Sequence, residues 1–431
     1  MKSIPLFICL FSSLLVWSQT TIVLQPGPAD GKDAKIFNIG ANINYGDDPD
    51  FVASTWTYSE EPGTMRSLIQ FDISEIPFNA GIVDARLDLY YNYLSSSPGQ
   101  SGHNAAFLRR IKQEWDEATV DWVSQPQYFT QNQVYIPEST SSNQDYIGIN
   151  VAPLIRDMIT DPAHSYGFMF MSEMEAVLCS MKFFSSDGAI PEKRPRLTIT
   201  YITDPVECMT FQPGSEGKDA KLYDLEPEAN FGDDEDLISA AWTFGGNPGI
   251  LRSLVEFNIS ALPNNISVLN ASLSLYYNST SSSPGQSGVN QALLQRITAP
   301  WTENTVSWGT QPSTTDLHQV TLPVSTSTDE DYENIDVTDL IRDQLSDPDN
   351  SHGWMLRQAT EEVVRSMKFA SSDYSNAAKH PKLEICYSIG TEVKDINTLP
   401  LLISPNPFSD QLTIRGIQGD YALTVQDLQG E

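Results

Sequence analysis

Over much of the chain, apolar and polar residues alternate with a period of two. Val83, Ala85, Leu87, Leu89 and Tyr91 alternate with Asp84, Arg86, Asp88 and Tyr90, and the pattern returns in Leu269, Ala271, Leu273, Leu275 and Tyr277. Period two predicts strands with one buried face. Further strands are predicted at 67–71, 105–111, 167–171, 180–184 and 196–201, between segments rich in Gly, Pro, Asn, Asp and Ser. A single short helix is predicted where Val151, Leu154, Ile155 and Met158 fall at i, i+3, i+4 and i+7, and a second at Val337, Leu340 and Ile341. Asp161-Pro162 and Asp347-Pro348 stop them. Many strands and one helix predict antiparallel β-sandwiches of jelly-roll type.

A tandem duplication sets the organisation. Gly31-Lys32-Asp33-Ala34-Lys35 recurs at 217–221, and Ser95-Ser96-Ser97-Pro98-Gly99-Gln100-Ser101-Gly102 recurs at 281–288. Residues 31–201 align with 217–387 without a gap and with about 80 identities. A repeat this long is two whole domains, since solenoid repeats run about 20–50 residues. The boundaries that follow are a first sandwich at 19–203, a second at 204–390, a linker at 391–400 and a tail at 401–431. Ahead of them, Lys2 and the apolar run Ile4–Val16 predict a secretory signal peptide over 1–18 and hence export.

Charge narrows the partners. Among 431 residues, 25 Lys and Arg face 56 Asp and Glu, a formal charge of −31 with a pI near 4.3. Such a surface repels nucleic acid and anionic membranes, and it repels acidic polysaccharides except at a local basic patch. A mean hydropathy of −0.28, with no long apolar run past the leader, predicts no membrane span.

The residues shared by the copies resemble a family pattern. Lys32-Asp33-Ala34-Lys35, Asn44-Tyr45-Gly46, Arg66-Ser67-Leu68-Ile69-Gln70-Phe71-Asp72-Ile73-Ser74-Glu75-Ile76-Pro77, the segment from Trp115 to Trp122 and the closing Pro195–Tyr201 resemble the DNRLRE, or disaggregatase-related, domain. That resemblance implies a β-sandwich carbohydrate-binding module, attached to secreted polysaccharide-degrading enzymes and surface proteins, with some members binding acidic polysaccharides such as alginate. The tail, Leu401–Ile414 with Gly419-Asp420-Tyr421, resembles part of a type A sorting domain of the type IX secretion system, without its final basic strand. This implies Bacteroidota-like bacteria, the type IX machinery as a partner, and a secreted or cell-surface location reached through the periplasm.

The repeat also tests for catalysis, because an essential group of the shared fold belongs in both copies. None of the five histidines is matched: His103 faces Val289, His164 Asn350, His318 Asn132, His352 Tyr166 and His380 Arg194. That argues against a shared histidine–metal site or a Ser-His-Asp triad. Glu117 with Glu303, Asp157 with Asp343 and Asp187 with Asp373 do match, so hydrolysis by paired carboxylates stays open beside a turn or capping role. The expectation is a non-catalytic polysaccharide-binding protein; the alternatives are an adhesive or spacer surface protein and a polysaccharide lyase or hydrolase.

For the ligand, sugars want aromatic faces and planar polar groups. Trp56 and Trp242 match, as do Tyr90 and Tyr276 on the polar face of their strand. A cationic set repeats too: Lys32, Lys35, Arg66 and Lys182 in the first copy, Lys218, Lys221, Arg252 and Lys368 in the second, each also able to pair a carboxylate. Trp115, Trp122, Trp301 and Trp308 read as core. The SSSPGQSG loops read either as a binding rim or as a trace of duplication. Acidic turns suggest a structural Ca²⁺ held by Asp47, Asp48 and Asp50 with Asp33, and by Asp233, Asp234 and Asp236 with Asp219; solvated turns are the alternative. Finally, Cys208 and Cys386 fall on the first and last strands of the second copy, the pair placed to form a disulfide in an oxidising compartment. Three reduced thiols are the alternative, and Cys179 is left free in either case.

Overall fold

The computed structural model describes residues 19–389 except 79, 204, 205 and 265, together with the backbone of 402–404 and 413–415. The candidate leader 1–18 and linker 391–400 lie outside the described residues. So does most of the tail, in which only β23 (Leu402–Ser404) and β24 (Thr413–Arg415) are described, as an antiparallel pair.

The first copy runs through β1 (Thr20–Leu24), β2 (Asp33–Phe37), β3 (Asp50–Tyr58), β4 (Glu61–Ile69), β5 (Gly81–Leu89), β6 (Ala106–Arg110), β7 (Val134–Ile136), β8 (Tyr146–Asn150), α1 (Ala152–Thr160), β9 (Phe168–Ser172), β10 (Cys179–Phe184) and β11 (Arg196–Ile202). The second repeats it as β12 (Glu207–Phe211), β13 (Lys218–Tyr223), β14 (Asp236–Phe244), β15 (Asn247–Glu256), β16 (Ile266–Leu275), β17 (Ala292–Ile297), β18 (Thr314–Leu322), β19 (Tyr332–Asp336), α2 (Thr338–Ser346), β20 (Trp354–Gln358), β21 (Arg365–Ala370) and β22 (Lys382–Ile389). Each copy stacks a four-stranded sheet, β1-β11-β5-β8 or β12-β22-β16-β19, on a seven-stranded one, β10-β3-β4-β9-β6-β7 with β2 beside β4, or its equivalent. Among the described residues the strand pairs are antiparallel, and the architecture is two tandem β-sandwiches.

Alternation decides which side chains meet between the sheets. Ile82, Ala85, Leu87 and Leu89 of β5, with Leu197 and Ile199 of β11, pack against Phe51, Leu108, Phe168, Phe170 and Phe183 of the larger sheet. Leu154, Ile155 and Met158 of α1 close one side of that core. On the opposite face of the larger sheet, β2 and the loop carrying Trp115 cover a second, smaller core of Ala34, Ile36, Leu68, Trp115, Val120 and Met169. The second copy has the same pair of cores.

The first and last strands of each copy lie side by side. Thr21 faces Thr200 with their hydroxyls 3.0 Å apart, and at the corresponding place Cys208 faces Cys386 and is bonded to it. Cys179, on β10, is a buried free thiol.

The copies also touch. Arg156 of α1 makes a 2.7 Å ion pair with Asp336 at the end of β19, and the two side chains are only 6% and 10% exposed. Asn132 accepts from the Asp336 amide and donates to the Asn334 carbonyl, while Arg342 of α2 donates back to the Val83 carbonyl of β5.

Candidate functional site

The SSSPGQSG loops form a clasp over the outer face of the larger sheet. Lys182, 1% exposed on β10, donates to the carbonyls of Ser95 (3.0 Å) and Ser97 (2.7 Å), whose hydroxyls donate to the Asp50 carboxylate. The two serines thus bridge a buried cation to a buried anion. Gln100 fastens the clasp by accepting from the Lys182 amide, and Ser180 donates to the Pro98 carbonyl. Lys368 likewise donates to the carbonyls of Ser281 and Ser283, and there the Ser281 hydroxyl donates to Asp236. Burial lowers the pKa of both lysines.

The acidic turn sends its carboxylates to separate partners. Asp47 is exposed, Asp48 pairs with Lys35, Asp50 joins the clasp, and Asp33 accepts from the Ser186 amide at 2.9 Å. In the second copy Asp233 is exposed, Asp234 pairs with Lys221, Asp236 joins the clasp and Asp219 accepts from Ser372. Among the described residues no group of three or more His, Cys, Asp or Glu side chains is arranged to hold a metal ion. Glu117 and Glu303 accept from the amides of Asp33 and Asp219, which ties the Trp115 and Trp301 loops to β2 and β13.

Burial pushes Asp33 up to about 7 and Asp219 to about 6, with the bonds from Ser186 and Ser372 offsetting part of the rise. An unfolded aspartate titrates near 4. Between that value and the raised ones the folded chain holds more protons than the unfolded chain, so this contribution to stability falls as pH rises through the window. The melting temperature is therefore expected to drop between pH 4.5 and 7.5, more steeply in the native protein than in Asp33→Asn/Asp219→Asn. Parallel profiles in a calorimetric pH series would remove this account.

Other candidates also have partners. Lys32 bonds Gln70 at 2.8 Å over the Trp115 ring, and Lys218 pairs with Glu256 at 2.6 Å over Trp301. Lys193, paired with Asp145, lies over Tyr90, and Lys379, paired with Asp331, over Tyr276. Trp56 and Trp242 are half-buried near the ends of β3 and β14, opposite Gly63 and Gly249. Trp115 and Trp301 are buried and donate to the carbonyls of Tyr166 and His352.

Trp122 and Trp308 depart from the expected core position. Both are half-buried, because an arginine from the neighbouring strand lies over the indole instead of more core. Arg66 stacks 4.8 Å from the Trp122 ring, forks onto Glu175 at 2.6 and 3.0 Å and donates to Gln125 at 2.7 Å. Arg252 repeats every contact with Trp308 (4.7 Å), Glu361 (2.8 Å twice) and Gln311 (2.8 Å). An indole, a guanidinium, a carboxylate and an amide held together are the kinds of group that bridge sugar hydroxyls beside an apolar ring face. Each copy adds a second arginine to this outer face, at different places: Arg109 on β6 in the first, Arg357 on β20 in the second. Sequence reasoning found Arg66 and Arg252 but missed Gln125, Glu175, Arg109 and their counterparts. Period two in β6 already put Phe107 and Arg109 opposite the core-facing Ala106 and Leu108, and Gln125 and Glu175 both recur in the repeat.

Among the described residues no helix is long and apolar enough to cross a membrane. The family model described as carbohydrate-binding module family 96 matches residues 29–201 and again 214–387. No curated protein matches the chain. Of solved structures, one described as "Structure of infectious bursal disease virus Gx strain" aligns over 86% of this chain and 76% of its own at 10% identity and a TM-score of 0.15, a likeness that carries no argument.

Proposed function

The chain belongs to carbohydrate-binding module family 96 through both of its domains, and from that premise we propose that it is a non-catalytic polysaccharide-binding protein with one site per copy. The site is the outer face of the larger sheet around Arg66, Trp122, Gln125 and Glu175, and around Arg252, Trp308, Gln311 and Glu361. The observation that carries this reading is the repeated, half-buried Trp–Arg–Gln–Glu set, built with the same contacts in both copies. The apolar leader supports export, and the tail's resemblance to a sorting domain supports delivery to the cell surface by the type IX machinery.

Retention of the full chain on a panel of insoluble and soluble polysaccharides tests the reading. A charge-assisted hydrogen bond contributes roughly 1.5–3 kcal/mol. Arg66→Ala combined with Arg252→Ala is therefore expected to raise Kd about ten- to a hundredfold, with the fold checked by circular dichroism. Binding that survives the double substitution would move the site elsewhere, and release of soluble sugar would make the protein an enzyme.

A further inference from the structure

The two faces share a frame but differ in what surrounds it. Register places Arg66, Met171, Phe107 and Tyr135 in one row across β4, β9, β6 and β7, on the outer side of the first copy. Tyr135 is 48% exposed and lies 5.6 Å from the Phe107 ring. Beside them Arg109 sits between the rings of Phe107 and Tyr128, 5.0 Å from each. The corresponding row of the second copy reads Arg252, Arg357, Leu293 and Thr321, and Gln295 and Thr314 stand in place of Arg109 and Tyr128. Its three aromatic rings are gone.

Charge changes in the same direction. Around Tyr135, Glu173 and Glu138 are close enough to raise the pKa of its phenol, after burial. Their counterparts are Ala359 and Val324. On the first face Arg66 is paired with Glu175 while Glu173 and Glu138 stand near Tyr135; on the second, Arg252 and Arg357 share Glu361, at 2.8 and 3.6 Å. The Arg357 Nε is buried without a hydrogen-bond partner. One face is aromatic and ringed by carboxylates, and the other is polar and cationic in a protein of charge −31.

We propose that the copies read different sugars: the first face takes an uncharged pyranose by stacking on Tyr135, and the second takes an acidic sugar, uronate or sulfated, on Arg252 and Arg357. The proposal rests on the site assigned above. Carboxylates at the rim of the first face repel a polyanion, whereas an aromatic ring accepts the C–H face of a neutral sugar. A guanidinium pair holds carboxylate or sulfate oxygens in a planar fork, and the first copy has Met171 in place of Arg357 beside Arg66.

Titration calorimetry on the full chain separates the two, with oligogalacturonate and oligoguluronate as acidic probes and laminari- and xylo-oligosaccharides as neutral ones. The quantity read is the ratio of acidic to neutral affinity. Arg357→Met, which restores the residue of the first copy, is expected to lower that ratio at least tenfold, and Tyr135→Thr to raise it at least tenfold. Raising salt from 50 to 500 mM weakens only the acidic branch. Both substitutions shifting both probe classes alike, or leaving the ratio unchanged, overturns the division of labour while the site itself stands. No binding of any probe by the unaltered protein overturns the site as well.

Discussion

Substituting Lys182 by methionine is expected to destabilise the protein by about 3–5 kcal/mol, the range for removing one partner of a buried, compensated charge. The methionine fills the space of the stem but leaves the carbonyls of Ser95 and Ser97 without their donor and the buried Asp50 without a nearby cation. For a domain of this size that is roughly 6–20 °C in melting temperature. Lys368→Met is expected to do the same through Ser281, Ser283 and Asp236. Lys193→Met is the control, because its ion pair with Asp145 is exposed and such pairs contribute about 0–1 kcal/mol. If Lys182→Met melts with the unaltered protein, the clasp does not hold the sheet.

Removal of the Cys208–Cys386 bond is the second large effect, because it closes a sequence separation of 178. The chain-entropy account assigns about 5 kcal/mol to so long a loop. The loss is confined to the second copy, since the first has Thr21 and Thr200 at the same place, joined only by a hydroxyl–hydroxyl bond. Cys208→Ser/Cys386→Ser is therefore expected to lower the denaturant midpoint of the second copy below that of the first, and reductant to have no further effect on the variant. Mass spectrometry of a non-reduced digest that finds Cys208 and Cys386 freely alkylated would refute the bond itself.

Legibility in the sequence followed the number of covered faces. The strand β5 and its counterpart β16 alternate because one face is solvated, and period two marked both. In contrast β10, Cys-Ser-Met-Lys-Phe-Phe, is buried at every position because the clasp covers its outer side, and nothing in its spacing says that Lys182 is enclosed. The strand β2 escaped notice because it begins with charged Asp33 and Lys35, which are buried by partners 153 and 13 residues away in sequence, Ser186 and Asp48. Spacing likewise made Trp115 and Trp122 look alike. Only the fold separates them, since Trp115 reaches the Tyr166 carbonyl inside the smaller core while Trp122 lies under Arg66 at its margin.

The contact between the copies limits how the duplication can grow. Arg156 and Arg342 occupy equivalent helix positions, and each reaches across to the other copy, the first to Asp336 and the second to the Val83 carbonyl. The equivalent helix of each domain therefore faces the other copy, in an approximately two-fold arrangement whose individual contacts differ. A heterologous contact would leave one complementary surface open at each end for a third domain or a neighbouring molecule. Here each copy's helix patch is covered by the other copy, so a further repeat appended to the gene would find neither of these patches free to dock on.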